Sequence, residues 1–451
     1  MTRSISRREA ALGFLAIAGT LAVGCGGPGG GGSRPSGTSP SPSAAPTIGT
    51  EPVTLKAYFE TGFPLARALT DEFTRQFPNV TWDIREDQFA VITQNAPRVL
   101  ADDPPDLMRL PQVSELVGDG LLLNLDGYAE VFGWSDWPPS QLEQLRVGEG
   151  GRPRGEGSLY AMGLNFSMTG VFYNRTLAER IGMAAPPATL AEFDDLLASA
   201  KAAGIVPIVQ FNGGATGGFA FPLQNLMAAY GAAGPINDWI FQKPGVTIDT
   251  PSNLAAVRHL QEWIEAGYFD ADANAMEYAQ MMSTFMAGDA LLMFNGDWES
   301  GNLDGEMPGE VGFFLMPPAE EGGPVATMSA PLTYGISANA AHPDEAAFFL
   351  DWAATDERAR EIVVEVGGSH PMGLPDAHMP DVAEDSVTGQ TLAAGARIAE
   401  DDGAMDFIAN ATGSVYAKGW TPQLQRLFAG DQDPDGLLAA VQSEYEIEAG
   451  S

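Results

Sequence analysis

The chain has 451 residues, with 59 acids against 23 bases for a formal net charge of −36, and a single cysteine. So acidic a surface repels phosphate backbones and anionic headgroups, which argues against nucleic acid and bare membrane surfaces as partners. One cysteine permits no disulfide within the chain, so stability rests on buried apolar surface, and the length suggests two domains or two large lobes.

Arg3, Arg7 and Arg8 precede an apolar run, Ala10 to Val23, that is too short to span a bilayer comfortably, and Gly24-Cys25 follows it. This order predicts a lipoprotein signal peptide over 1–24, cut before Cys25, whose nucleophilic sulfur would carry the lipid. A short uncleaved membrane helix is the competing reading. Ser6-Arg7-Arg8 matches part of a twin-arginine signal, so the export route, general or twin-arginine, stays open. The stretch 25–50 is nearly all Gly, Ser, Pro, Thr and Ala beyond its cysteine, and it buries too little apolar surface to offset its ordering entropy. It reads as a flexible tether.

Order begins near Val53. Val53, Leu55, Ala57 and Phe59 alternate with polar neighbours as in a strand; Leu65, Leu69, Phe73 and Phe77 recur every four residues as in a helix stopped by Pro78; Val80, Trp82 and Ile84 alternate again. This is a βαβ unit, with Glu60-Thr61-Gly62-Phe63-Pro64 as the loop at the C-terminal end of its first strand, where open α/β sheets place ligands. Thr189 and Glu192 form a capping box before a helix ended by Gly204, and Ile205 to Phe211 reads as a strand. Leu254, Val257, Leu260 and Ile264 mark one helix, and Tyr278, Met281, Met282 and Phe285 another. Ala290 to Phe294 reads as a buried strand that runs into Asn295-Gly296-Asp297-Trp298. Further helices carry Phe348, Phe349 and Trp352, and the stretch from Leu437 to Tyr445.

Several segments together resemble a known family. They are Pro104-Pro105-Asp106-Leu107-Met108 with Gly120 to Leu125; Tyr160-Ala161-Met162-Gly163-Leu164 with Gly170-Val171-Phe172-Tyr173-Asn174-Arg175; Pro186-Pro187-Ala188-Thr189 with Glu192-Phe193; and Phe285 to Met293 with Gly296-Asp297-Trp298. In this order, behind a lipobox, the chain resembles the extracellular solute-binding lipoproteins of carbohydrate ABC importers, the maltose-binding-protein-like group. The resemblance implies an α/β, two-lobe periplasmic-binding-protein fold (type II) with an interlobe ligand cleft and a multi-stranded hinge. It places the first lobe at 51–165 and 310–350 and the second at 166–309 and 351–451. It implies a monomeric receptor, lipid-anchored through Cys25 on the extracytoplasmic face of the cell membrane. That receptor would bind a sugar or oligosaccharide and deliver it to a transmembrane permease, without a cofactor.

A sugar offers hydroxyls at its rim and C–H patches on its faces, so its pocket needs aromatic rings to stack and polar side chains to hydrogen-bond. Trp298, with Asn295 and Asp297 beside it, is the leading candidate; a core tryptophan is the alternative. Glu60, Thr61 and Phe63 follow the first strand, and Asp87 and Gln88 follow the second; solvated loop positions would look the same. Arg109 falls where the family often has a cleft-facing polar residue, and Asn165 and Ser167 match positions that in some relatives carry an aromatic and an acid, replaced here by smaller polar groups that leave the exact sugar open. Asn212 and Phe221 flank a glycine-rich loop, Tyr334 could contact ligand or pack on the hinge, and His370 stands in a glycine- and proline-rich turn.

Enzyme and metal readings find little support. The four histidines supply no H-E-x-x-H, and no G-x-S-x-G occurs, although a glycosidase needs only two placed carboxylates. A surface-anchored carbohydrate hydrolase, a receptor for a non-sugar solute and a tethered adhesin remain alternatives. Asp431-Gln432-Asp433-Pro434-Asp435-Gly436 opens like a calcium loop, but Gln442 replaces the bidentate glutamate. The spacing predicts instead a turn that caps the last helix.

Overall fold

A computed structural model describes residues 42–214, 217–231, 233–323, 325–374, 376–401 and 403–449, all within one unit, Ser39–Ser451. The expected signal peptide, Cys25 and the tether before residue 42 lie outside the described residues. Among the described residues no helix is long and apolar enough to cross a membrane.

Strand β1 (Val53–Glu60) forms where Leu55, Ala57 and Phe59 turn inward and Thr54 and Lys56 outward. Helix α1 (Pro64–Gln76) starts on a proline, whose missing N–H is not needed there, and buries Leu65, Leu69 and Phe73. Strand β2 (Val80–Asp87) pairs parallel with β1 over its full length, completing the βαβ unit. Helix α2 (Phe89–Asp102) returns the chain to β3 (Leu107–Arg109), also parallel to β1. The longest strand, β4 (Met162–Asn174), follows.

Helix α3 (Leu190–Ala202) carries the expected cap, with its return bond displaced by one residue. Thr189 Oγ1 accepts the Glu192 N–H at 3.2 Å, and the Glu192 carboxylate accepts the N–H of Ala188 at 2.8 Å. The chain continues through β5 (Val206–Ile208), α4 (Ala220–Tyr230), α5 (Pro251–Glu265), α6 (Tyr278–Met286), β6 (Ala290–Gly296), β7 (Val311–Phe314) and β8 (Thr327–Gly335). Then come α7 (Pro343–Thr355), α8 (Glu357–Gly367), α9 (Val387–Glu400), β9 (Ala404–Met405), α10 (Thr421–Ala429) and α11 (Pro434–Ala449). Asp433 Oδ1 accepts the Gly436 N–H at 2.7 Å at the start of α11, so the acidic stretch caps a helix. Among the described residues no group of three or more His, Cys, Asp or Glu is placed to hold a metal ion.

Seven strands run in the order β2-β1-β3-β8-β4-β6-β5, with β7 and the short strand His370–Pro371 also on β4 and β9 on β8. Two cores flank the crossing strands. Met162 and Leu164 of β4 and Tyr334 of β8 belong to the first, while Val171 of β4 and Ala326 just before β8 belong to the second. A third apolar cluster, with Phe172, Met281, Met293 and Phe313, completes the second lobe.

The packing divides the chain differently from the sequence expectation. The end of α7 beyond residue 350 and all of α8 are expected in the second lobe. Trp352, Ile362 and Val363 instead join Phe349 in the first core, where Phe73 meets Phe349 at 5.2 Å and Trp352 at 5.0 Å. Conversely β7, expected in the first lobe, pairs with the C-terminal half of β4 and buries Val311 and Phe314 in the second.

Candidate ligand-binding cleft

Strand directions define where the two lobes face each other. β8 is antiparallel to β3 and to β4, so β1, β3 and β4 run the same way, toward the second lobe. β6 is antiparallel to β4, so its C-terminal end points back toward the first lobe. Arg109 pairs with Tyr334, which pairs with Met162, whereas Gly296 pairs with Thr169. The strand ends therefore converge on the middle of β4. From Met162 to Thr169, about 23 Å of strand separates the two sets at ~3.3 Å per residue. Ligands of open α/β sheets sit beyond such carboxyl ends.

The first lobe supplies a polar wall. Glu60 and Arg109 pair at 3.4 Å, each side chain 13% exposed. Arg109 also donates to the carbonyls of Leu110 at 2.5 Å and Thr333 at 3.3 Å, and its guanidinium lies 4.9 Å from the centre of the Phe89 ring. Burial pushes the Glu60 carboxyl up, and Arg109 opposes the shift. Asp87 accepts the Tyr58 hydroxyl at 2.8 Å and Arg85 at 2.6 Å, and both hold its carboxyl below the usual range. Thr61 and Gln88 are exposed and Phe63 is half-buried; Gly62, at φ 92°, turns the loop that carries Thr61 and Phe63.

The second lobe supplies an aromatic wall. Trp298 is half-buried and belongs to none of the apolar cores, which favours the platform reading over the core one. It lies on the backbone of Gly296, where an added Cβ would fall 2.0 Å from the six-membered ring. Phe221 lies 6.1 Å from Trp298, Phe407 stacks on Phe221 at 5.7 Å, and Tyr416 meets Phe407 edge-on at 5.3 Å. Behind them Tyr278 and Phe211 meet edge-on at 5.4 Å. The wall is braced from the first lobe. Arg154, on the loop after Leu145 and Val147 of the first core, donates to Asp406 at 2.5 Å, to the Gln144 carbonyl and to the Asn410 carbonyl, and covers Phe241. The pair is almost fully buried, with side chains 6% and 1% exposed.

The floor lies on β4. Asn165 donates to the Ser167 hydroxyl at 3.0 Å, and Ser167 meets the Ser369 hydroxyl at 3.3 Å. The buried Asp297 carboxyl faces both hydroxyls and the Met168 N–H, while its Oδ1 and the Asn165 Oδ1 have no hydrogen-bond partner. Burial pushes this carboxyl well above the usual carboxylate range, against the hydrogen bonds from Met168, Ser369 and Ser167.

The remaining candidates stand apart from the two walls. Asn212 is fully buried within the second lobe, donating to Asn274 at 2.7 Å and accepting Gln425 on its carbonyl. Tyr334 packs in the first core against Phe59. Asn295 is buried beneath Tyr278. His370 is half-buried with Nδ1 near the Pro371 carbonyl, and burial lowers its pKa, favouring neutral imidazole. Sequence reasoning missed Phe89, Arg154, Tyr278 as a wall residue, Phe407 and Tyr416. Two hollows, of about 500 Å³ beside Asp304 and Thr388 and about 230 Å³ beside Lys56 and Arg98, are not lined by Trp298, Tyr278 or Arg109.

Comparison with known proteins bears on the family and the fold. The model of a family described as bacterial extracellular solute-binding protein matches residues 54–359. A curated relative, the multiple sugar-binding protein of Streptococcus mutans, is 24% identical over 286 residues, 60% of this chain and 63% of its own length. Among solved structures, a chitin oligosaccharide binding protein matches with a TM-score of 0.72 at 18% identity, over 89% of this chain and 100% of its own. Maltose-bound MalE3 of T. maritima matches with 0.69 at 16%, over 87% and 99%. The galacto-N-biose-/lacto-N-biose I-binding protein of Bifidobacterium longum, in complex with lacto-N-biose, matches with 0.67 at 18%, over 90% and 99%.

Proposed function

Because the chain belongs to the bacterial extracellular solute-binding protein family, we propose that it is an extracytoplasmic receptor that binds a sugar or oligosaccharide between its lobes and delivers it to the permease of an ABC importer. The observation that carries this reading is the pairing of a half-buried tryptophan platform with a polar wall across the middle of β4. Aromatic faces suit the C–H patches of a sugar ring, and carboxylate, amide and guanidinium groups suit its hydroxyls. Among the similar structures one is a chitin oligosaccharide binding protein, one is bound to maltose and one is in complex with lacto-N-biose, which supports the same ligand class here. Lobe closure over the ligand follows from higher affinity for the closed state, with β4 and β8 as the crossing strands.

The receptor is a monomer held to the membrane by lipid on Cys25, and it binds without turning its ligand over. A thermal-shift panel of chitin oligosaccharides, raffinose, maltose and lacto-N-biose tests the ligand class. A sugar at 100 times its dissociation constant adds about 2.7 kcal/mol to the folded state. Release of cleaved sugar during the same incubations would replace the receptor with a hydrolase. Cys25→Ser is expected to free the protein from the membrane fraction without changing affinity in solution, and retention of that variant would remove the lipid anchor from the proposal.

A further inference from the structure

The hydrogen bonds around Trp298 are directional, and together they leave one solution. Asn295 Oδ1 accepts the Gly296 N–H at 2.9 Å, which fixes the amide so that its Nδ2 reaches the Tyr278 hydroxyl at 3.1 Å. The Trp298 Nε1–H donates to the same hydroxyl at 2.9 Å. With two donors pointing at it, the phenol oxygen has filled both acceptor positions, and its single proton goes to the Glu299 carboxylate, 2.6 Å away, in preference to Asn295 Oδ1 at 3.3 Å, which already accepts the Gly296 N–H. That bond is charge-assisted and short, the strongest of the set. Asn302 donates to the other Glu299 oxygen at 2.9 Å and keeps the carboxylate in place. Every donor and acceptor of the Tyr278 hydroxyl is thereby used within the protein.

We propose that Tyr278, anchored by Glu299 and Asn295, is the positioning residue for Trp298, locking the indole plane and withdrawing its N–H from the cleft. The backbone of Gly296 backs the ring, so two constraints from different residues define one orientation. The consequence for ligand choice rests on the sugar-receptor reading. With its only donor occupied, Trp298 offers a ring face and no hydrogen bond. A ligand over it is selected for an apolar C–H surface, and the hydrogen-bonding selection falls to other groups. Tyr278 touches no ligand in this scheme; it acts through Trp298.

The test begins without ligand. In protein labelled with ¹⁵N at its eight tryptophans, the Trp298 indole N–H signal is assigned by its loss in Trp298→Phe. It is expected to exchange slowly with solvent in the wild type, to shift and exchange faster in Tyr278→Phe, and to change less in Glu299→Gln, which keeps an acceptor for the phenol. An unmoved signal in Tyr278→Phe overturns the proposal, whatever the ligand. Should Tyr278→Phe melt early, Glu299→Leu removes the anchor from the other side and is read the same way. The second arm titrates chitotriose, raffinose, maltose and lacto-N-biose. For each sugar that binds the wild type, Tyr278→Phe is expected to weaken affinity about tenfold, the equivalent of one lost hydrogen bond. Unchanged affinity overturns the positioning role. Absence of any binding by the wild type would count against the sugar reading alone, since the indole signal decides the positioning role independently.

Discussion

The two walls of the cleft are built on opposite physical plans. The first-lobe wall is made of charges that are already answered: Glu60 by Arg109, Asp87 by Arg85 and Tyr58. The second-lobe wall is made of rings, Trp298, Phe221, Phe407 and Tyr416, whose polar atoms are turned away. Hydrogen bonds are strict about angle, whereas ring faces tolerate sliding. On the proposed reading, the contrast gives the first-lobe side the geometry of a bound ligand and the second-lobe side its adhesion.

The sharpest break of this comparison lies at the brace. Arg154→Ala leaves Asp406 buried at the foot of the aromatic wall without its cation, and should cost about 3 kcal/mol or more of stability, read as a lower urea midpoint. An unchanged midpoint would mean that the brace is dispensable. Next comes the platform itself. Trp298→Ala should weaken any bound panel sugar by about 100-fold while the melting temperature stays near the wild type; equal affinity would return Trp298 to a structural role. Gly296→Ala keeps every ring but displaces Trp298, so a loss of about tenfold is expected at constant aromatic content. On the opposite wall, Glu60→Gln should be milder, within about threefold in affinity, because Arg109 keeps its two carbonyl partners. A larger loss there than for Trp298→Ala would invert the comparison.

The smallest effect is a pH dependence at the floor. The raised pKa of Asp297 means that the folded state holds its proton more tightly than the unfolded chain. Stability from this group is fully present below the unfolded value near pH 4 and is lost as pH rises through the folded one. Asp297→Asn should therefore be the more stable protein at neutral pH and should converge with the wild type in acid. Parallel melting curves from pH 3 to 8 would contradict this.

Much of the scaffold was legible in the sequence. The βαβ unit from Val53 to Asp87 could be read because period-two and period-four patterns sit next to each other, separated by Pro64 and Pro78. The cap at Thr189 and the helix-opening turn at Asp433 were visible because they depend on residues three apart. The lobe boundary near residue 350 was not, because an amphipathic helix records that it packs and not what it packs against; α8 carries no mark of its partner α1. The same holds for the wall. Tyr278 begins a stripe with Met281, Met282 and Phe285, so its spacing looks like core, yet it sits in the first turn, where the helix meets the cleft. Phe407 and Tyr416 reach the wall only through the return of the chain after α9, which no local pattern announces. Asn295 and Asp297 were singled out beside Trp298, and both are buried beneath the surface that they help to shape.

One position carries a practical lesson for altering ligand choice. At Gly296 the missing side chain is itself a component of the platform, since even a single methyl group would occupy the space of the indole. A library aimed at new ligands should therefore hold residue 296 constant and spend its diversity on 221, 407 and 416, where rings can be resized without evicting the tryptophan.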